Sequence, residues 1–351
     1  MTVVRTTDRR AALRLPGGMA LPLANLAAAA ALIAAGLGLT LLALTTGATP
    51  VTLADLARPS SADAAFALAE VRLPRIVLGF MAGWCVALTG AMLQSLAQNP
   101  LADPGLLGLS QGSMLTILLL LFVAPAAPLA LIPLAAMAGG LAVAAVLIAL
   151  TRGGGTGTDG LALLLMGIAV ETTLSPLTAM LVLYLPPETS YAVSSWMAGS
   201  LFQATPATIA ALAPWCLVSL PVVAVLGRVT RVQDLGDAMA LSLGAPLGWA
   251  KPAILVAAVL LSSAAVTAVG PLAFLGVMAP HLGGAISRAS GRMRLVLSGL
   301  TGGVLVIAAD TLTRASPTHF ALPIGLSLTL IGVPLFILAL RLRALSRLSP
   351  R

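Results

Sequence analysis

Residues 128–150 read PLALIPLAAMAGGLAVAAVLIAL, and this stretch of 23 residues without a charge decides the fold class. A helix needs about 20 mostly apolar residues to cross the hydrocarbon core of a bilayer. Similar runs recur along the chain, and only 9% of its 351 residues are charged, against about 25% in soluble domains. The composition therefore excludes an ordinary water-soluble enzyme. It also excludes a disordered chain, which would be polar and highly charged.

Apolar segments bounded by proline, glycine or charge predict an all-α membrane protein with ten transmembrane helices. They lie at 22–46, 72–96, 106–124, 128–150, 160–184, 206–227, 250–269, 272–288, 294–313 and 323–341. The first is too long for the apolar region of a signal peptide, so we expect an uncleaved span. No polar stretch is long enough for a soluble domain. We therefore expect a single transmembrane domain over 1–351 with a basic cytoplasmic segment at 1–21.

The basic residues predict the orientation, because cytoplasmic loops carry an excess of lysine and arginine. With the N-terminus inside and an even number of spans, fifteen of the 19 basic residues face the cytoplasm. The remaining four, Arg58, Arg72, Arg75 and Arg314, face outwards. This bias supports an N-in, C-in topology and makes the four exceptions candidates for a specific role.

The usual signatures of ATP, metal and disulfide chemistry are missing from the sequence. Lys251, the only lysine, is not part of a phosphate-binding loop, so the chain does not bind ATP in the usual way. No spacing of histidine, cysteine and carboxylate residues suggests a metal site. Cys85 and Cys216 lie within apolar runs and form no disulfide framework. We expect no metal and no cofactor.

Two alternatives from other functional classes depend on single residues. Ser110 lies in a GLSQG pattern that matches the nucleophile elbow, and pairing with His281 would give an intramembrane serine protease. The pattern is short and the chain is rich in glycine, so the same serine is more simply explained as the start of an apolar helix, with its hydroxyl bonded to nearby backbone. Glu171 or Asp310 could instead serve an ion-coupled carrier, because ionisable groups within a membrane usually face a cavity or a partner.

Two stretches rich in proline and glycine, residues 94–105 and 270–281, interrupt the predicted helices. Irregular backbone at membrane depth is tolerated only where it is buried in protein or lines a cavity. One interrupted helix in each half of a chain is typical of transporters built from two inverted repeats. The letters of the two halves show no repeat, so the repeat is predicted from the layout alone.

A series of motifs in fixed order resembles the FecCD-type permease subunits of type II ABC importers for ferric siderophores, haem and cobalamin. The motifs are RLPR at 72–75, GAMLQ at 90–94, NPLADPGLLG at 99–108, WMAGSL at 196–201, and the segments 235–244, 270–281 and 322–334. The resemblance implies the type II importer permease fold and a non-catalytic subunit of the bacterial cytoplasmic (inner) membrane. It implies three kinds of partner: a second permease subunit, identical or sister; two cytoplasmic ATP-binding subunits; and a periplasmic or lipid-anchored substrate-binding protein.

The resemblance also assigns roles to residues at both faces. Arg72, Arg75 and Arg314 match arginines that dock the acidic lobes of the binding protein, although arginines at helix ends also snorkel to the interface. The cytoplasmic segment 228–249 matches the part that couples to the ATPase, unless it is merely a solvated loop. The matching positions there are Leu235, Gly236, Asp237, Ala240, Leu243 and Gly244.

The remaining assignments concern the path of the substrate. Asn99 and Leu101, with Thr156 and Thr158, match a cytoplasmic gate, whereas Asn99 could instead cap the backbone before Pro100. Glu171 lies within a span that is similar to one lining the path in this family, and a packing role is the alternative. The resemblance implies a ferric siderophore as cargo, with haem or cobalamin as alternatives.

Overall fold

The computed structural model describes residues 2–5, 11–14, 20–128, 130–151, 160–315 and 322–348, and it is nearly all helical. The helices are α1 Leu23–Thr45, α2 Ala62–Phe66, α3 Leu73–Ala97, α4 Leu109–Val123, α5 Leu131–Thr151, α6 Gly160–Leu183, α7 Pro187–Met197, α8 Pro206–Gln233, α9 Asp237–Ser242, α10 Leu247–Val269, α11 Leu275–Ile286, α12 Gly291–Arg314 and α13 Ile324–Leu348. A π-helical turn, Ala67–Arg72, joins α2 to α3.

Each of the ten predicted apolar segments contains a helix. Among the described residues, seven helices are long and apolar enough to cross a membrane: α1, α3 with its extension from Ala62, α5, α6, α8, α10 and α12. The apolar parts of α4, α11 and α13 are shorter. The multi-pass helical architecture is thus confirmed, whereas the number of ten spans stays a prediction.

Three short strands at the N-terminus depart from the predicted all-α class. Strands β1 Thr2–Arg5, β2 Ala11–Arg14 and β3 Ala20–Pro22 form an antiparallel sheet in that order. Their backbone groups pair along the ladder. The sequence analysis treated residues 1–21 only as a basic segment, because strands of three or four residues are too short to show an alternating pattern.

Helix α3 forms the centre of the bundle and packs against α8, α10, α11 and α12. In its most apolar window 78% of the residues are buried, compared with 17% in α1 and in α6. The exposed faces of those two helices are apolar, with Leu37 and Leu165 more than half exposed. Such surfaces are expected to meet lipid or another subunit.

Small residues allow the central helices to approach closely. A Cβ atom on Gly83 in α3 would lie 2.6 Å from the carbonyl oxygen of Gly302 in α12. On Gly112 in α4 it would lie 2.7 Å from that of Gly139 in α5. Any larger side chain at these positions would push two helices apart.

The two predicted interruptions are present as irregular connections. The first runs from Gln98, which has a left-handed backbone (φ 51°), to Gly108 at the start of α4. The second runs from Gly270 to Phe274, which again is left-handed (φ 65°) and precedes α11. A positive φ is uncommon outside glycine. The connections place a short apolar helix after a long one in each half of the chain.

Candidate functional site

Helices α3 and α12 run antiparallel, and polar clusters lie where they meet at each end. We call the end that contains Arg75 and Arg314 the outer end, and the end that contains Ser95 and Arg294 the inner end, following the predicted topology. The residues assigned to binding-protein docking lie at the outer end. Asn99 and Leu101, which are assigned to the gate, and the residues assigned to ATPase coupling lie at the inner end.

At the outer end, two of the three predicted docking arginines share one carboxylate. Asp310 accepts from Arg75 Nε at 2.7 Å and from Arg314 Nε at 2.9 Å. The Asp310 side chain is only 3% exposed, and those of Arg75 and Arg314 are 11% and 14% exposed. The structure therefore brings the arginines together, and it shows a buried partner that the sequence analysis assigned only to a possible ion-coupled carrier.

The other polar contacts of this cluster satisfy the end of α1. Arg72 is buried and donates to the carbonyls of Leu44 and Thr49, while Arg314 also donates to those of Ala43 and Thr46. The last carbonyl groups of a helix have no partner within it, and a nearby cation stabilises that end. Three arginines and one aspartate give this cluster a net charge of +2.

A more exposed surface adjoins the cluster. The Arg75 guanidinium carbon lies 4.6 Å from the centroid of the Phe202 ring, which is half exposed. Arg58 is the fourth basic residue predicted to face outwards. It is exposed, and it follows Asp55 closely in the sequence. Hydrogen bonds from Ser60 and Thr52 hold the pKa of the Asp55 carboxyl well below its usual range. Asp55 therefore stays ionised and shapes the loop that follows α1.

At the inner end, two of the predicted gate residues, Asn99 and Leu101, lie in the connection from α3 to α4. The side-chain oxygen of Asn99 accepts from the N–H of Leu101 at 2.9 Å, so it caps the local backbone. Leu101 is 47% exposed. Thr156 and Thr158 lie outside the described residues. Gly160, which begins α6, lies against the backbone of Ala97, so that helix starts beside the end of α3.

The same connection contains a buried carboxyl group that the sequence analysis did not single out. Asp103 is 5% exposed, and its Oδ1 accepts from the N–H of Gly105 at 2.8 Å. Its Oδ2 lies against Gly276 in the first turn of α11. Burial raises the pKa of the Asp103 carboxyl to about 6, although backbone N–H groups act in the opposite direction. The signal in the sequence was one acidic residue in an otherwise apolar stretch.

The predicted coupling segment consists of the short helix α9 between two turns. Gly236 (φ 94°) and Gly244 (φ 77°) adopt backbone conformations that favour glycine, and they bracket α9. Asp237 forms an ion pair with Lys251, whose side chain is buried at the start of α10. Ala240 is fully buried. The segment, which we call the α9 excursion, is thus a short helix held by these contacts rather than an extended loop.

An apolar ridge covers the solvent side of this excursion. It consists of side chains that are 50–63% exposed: Leu235, Met239, Leu241, Leu243 and the neighbouring Trp249. The basic residues that define the predicted cytoplasmic face lie on the adjoining helix ends, at Arg231 and Arg294 for example. Large exposed apolar side chains beside basic residues are typical of a protein contact.

The residues proposed for other chemistry lie on separate elements. Glu171 is half-buried on α6, and its backbone packs against Gly108 at the start of α4. Ser110 is buried in the first turn of α4. His281 lies in α11 with its ring centroid 4.8 Å from that of Phe336. Asp310 is held in its two ion pairs with Arg75 and Arg314.

Comparisons with known proteins agree with one of these functional classes. The model of the FecCD transport family matches residues 31–342. The Fe(3+)-citrate import system permease protein YfmE of Bacillus subtilis is 31% identical over 279 residues, 80% of this chain and 83% of that protein. The cobalamin import system permease protein BtuC of Halobacterium salinarum is 35% identical over 272 residues, 77% of this chain and 72% of that protein.

Solved structures agree on the fold. A metal-chelate type ABC transporter in an inward-facing conformation matches with a TM-score of 0.77 and 22% identity, over 90% of this chain and 99% of that one. PsaBC from Streptococcus pneumoniae matches with a TM-score of 0.57 and 15% identity, over 76% of this chain and 89% of that one. These matches support the helical membrane-permease architecture rather than the fold of a protease. The chain belongs to the FecCD transport family, and it is a multi-pass membrane permease.

Proposed function

We propose that the chain is the permease subunit of an ATP-driven importer that carries a ferric chelate across the cytoplasmic membrane. The observation that carries this proposal is the α9 excursion with its exposed apolar side chains, which we assign to contact with a cytoplasmic ATP-binding subunit. Hydrolysis then takes place on that partner, because the sequence contains no phosphate-binding loop. Leu235, Leu243 and the turn at Gly244 form the contact surface.

We propose a ferric siderophore or a similar ferric chelate as cargo. The relatives include permeases named for ferric citrate and for ferric hydroxamates, both from Bacillus subtilis, at 31% and 32% identity. Cobalamin is the alternative that the Halobacterium relative supports, with haem as a further member of the same class of bulky chelates. Selection among them rests with the binding protein.

The proposed complex contains two permease subunits, two ATP-binding subunits and one substrate-binding protein. Arg72, Arg75 and Arg314 give the outer end a local positive charge, which favours docking of acidic residues through the rim of the cluster and Phe202. Because their hydrogen bonds are largely used within the chain, these arginines also hold the docking surface in shape. The exposed apolar face of α6 supports its placement at the second permease subunit or the path.

The proposed gate is the connection from α3 to α4. Leu101 offers an exposed apolar side chain there, and Asn99 holds its backbone in place. Thr156 and Thr158 complete the gate in the proposal. Glu171, half-buried on α6 and packed beside the start of α4, lines the path above it.

The test is reconstitution of the chain with its ATP-binding subunit and binding protein in proteoliposomes. Uptake of ferric citrate, a ferric hydroxamate and cobalamin would be measured with and without internal ATP. We expect ATP-dependent uptake of a ferric chelate. Uptake without any ATP-binding subunit would instead favour the ion-coupled carrier and refute the proposal.

A pair of variants at Gly244 tests the coupling segment. Gly244→Trp adds bulk on the ATPase side, so basal hydrolysis should continue while uptake is lost. Gly244→Ala introduces the same strain at a positive φ without the bulk, and it should keep most of the uptake. Equal uptake by both variants would show that the turn does not contact the ATPase.

A further inference from the structure

A polar cluster at the inner end joins three helices that are far apart in the sequence. Ser95 of α3 donates to Asp234 Oδ1 at 2.6 Å, just beyond the end of α8. Arg294 Nη1, in the first turn of α12, lies 2.8 Å from the same carboxylate oxygen and donates to Ser95 Oγ at 2.7 Å. These three residues form a closed triangle of hydrogen bonds.

The cluster continues from Arg294 to the start of α11. Arg294 Nη2 donates to Gln94 Oε1 at 3.1 Å. Gln94 Nε2 in turn donates to the carbonyls of Gly276 and Val277, at 3.2 and 3.4 Å. A continuous chain of polar contacts therefore leads from Asp234, which precedes the coupling helix α9, to the first turn of α11.

A second connection runs through the first residue of the proposed gate. Gln98 Nε2 donates to the carbonyl of Gln233 at 2.6 Å and to that of Ser95 at 2.7 Å. Gln98 itself has the left-handed conformation that ends α3. The end of α8 is thus attached both to the gate connection and, through Arg294, to α11.

The geometry allows little independent motion of these parts. Gln94 is 6% exposed and Ser95 is 2% exposed, and leaving a buried polar group without its partner costs more than the bond gains. The Gln94 amide is fixed in one orientation, because its oxygen accepts from a cation and its nitrogen donates to carbonyls. One turn earlier, Gly90 lies in contact with the backbone of Gly276, so α3 and α11 also touch directly.

We propose that Arg294 and Gln94 are positioning residues that transmit displacement of the coupling segment to the broken start of α11. They touch neither ATP nor cargo in this proposal. Arg294 suits the role because its planar fork engages two acceptors at once, here the Asp234 carboxylate and the Gln94 amide. The inference rests on the proposed function of α9 as the ATPase contact.

The experiment measures the number of chelate molecules imported per ATP hydrolysed, in proteoliposomes that contain the whole complex. A ferric hydroxamate, or cobalamin if wild type prefers it, is the probe. Arg294→Gln should assemble and hydrolyse ATP at the basal rate, while the transport ratio falls about tenfold, a typical coupling between two sites. Arg292→Gln is the matched control: it removes a charge half a turn away, where the side chain bonds the carbonyl of Ala224 on α8.

Two further variants separate transmission from simple bracing. Arg294→Lys keeps the attraction to Asp234 but lacks the planar guanidinium that engages two acceptors. Its ratio of chelate imported to ATP hydrolysed should therefore lie between those of wild type and Arg294→Gln. The exchange Asp234→Arg with Arg294→Asp should recover part of it relative to Arg294→Gln. An unchanged ratio in Arg294→Gln, or a fall of both rates in proportion with a lower Tm, would overturn the proposal.

If α9 is not the ATPase contact, the measurements will give a different result. In that case wild type itself would not couple ATP hydrolysis to uptake, or Gly244→Trp would transport normally. With wild type active and Gly244→Trp uncoupled, a normal ratio in Arg294→Gln refutes only the role of the link.

Discussion

Removal of the Asp310 charge is the sharpest test of the outer end. Asp310→Asn keeps the size of the side chain but leaves Arg75 and Arg314 without their shared carboxylate. Both arginines are almost nine-tenths buried, at 11% and 14% side-chain exposure. Breaking a buried ion pair by removing one partner costs about 3–5 kcal/mol, because the remaining charge stays buried.

We expect a loss of about 3 kcal/mol, at the lower end of that range, because water reaches the rim of both guanidinium groups. The two ion pairs share one carboxylate, so their costs do not add independently. The measurement is reversible unfolding of the purified permease in mixed detergent micelles. Glu70→Gln removes an exposed charge near the same outer face, and this control should change the free energy by less than about 0.5 kcal/mol.

A third variant tests the physical reason rather than the size of the effect. Arg75→Met, Asp310→Leu and Arg314→Met together remove the three charges of the two ion pairs, so neither Arg75 nor Arg314 stays as an unpaired buried charge, while Arg72 keeps its carbonyl partners. Replacing a whole buried ionic group by apolar residues is often nearly neutral. The triple variant should therefore be more stable than Asp310→Asn alone. If it is less stable, or if Asp310→Asn resembles Glu70→Gln, desolvation of the arginines is not what makes Asp310 important.

Three more predictions concern the interior. The pKa of Asp103 is raised from 3.8 to about 6, so between these pH values the folded state binds a proton that the unfolded state releases. The free energy of unfolding should therefore rise by up to about 3 kcal/mol as the pH falls from 7 to 4. Asp103→Asn should lose this pH dependence in unfolding measurements. Gly83→Leu should cost at least about 1–3 kcal/mol by overpacking against α12, whereas Gly38→Leu, which has open space, should be close to neutral in the same assay. The sulfur atoms of Cys85 and Cys216 lie 3.6 Å apart. Iodine should therefore oxidise the two thiols to one disulfide, and the intact mass should fall by two hydrogens. Two thiols that remain free would contradict this packing of α3 on α8.

The sequence predicted the helices well because span length and apolar content are local properties. Segment 128–150, for example, needs no partner to be recognised as a span. The three N-terminal strands were missed because their pairing depends on neighbours rather than on any local period. Helix α7, Pro187–Met197, was missed for a related reason, since it lies in a stretch that is polar by composition.

The individual site residues were predictable only as types and positions. Arg75 and Arg314 stood out because their charge lies on the unexpected side of the membrane, but their partner is 235 residues away from Arg75. Arg294 was counted only as one of the orienting charges, although it lies at the centre of the inner cluster. Such pairings arise when α3 packs antiparallel on α12, and no pattern within either segment contains that information.

The position of these clusters limits how the permease can change conformation. Helices α3 and α12 are joined by Arg75 with Asp310 at the outer end and by Ser95 with Arg294 at the inner end, and their backbones meet at Gly83. Sliding of one helix along the other would break both clusters and separate the glycine contact at the same time. Packed interfaces of this kind move as units rather than deform continuously. The two helices are therefore expected to move as one body, together with the start of α11, to which Gln94 donates its hydrogen bonds.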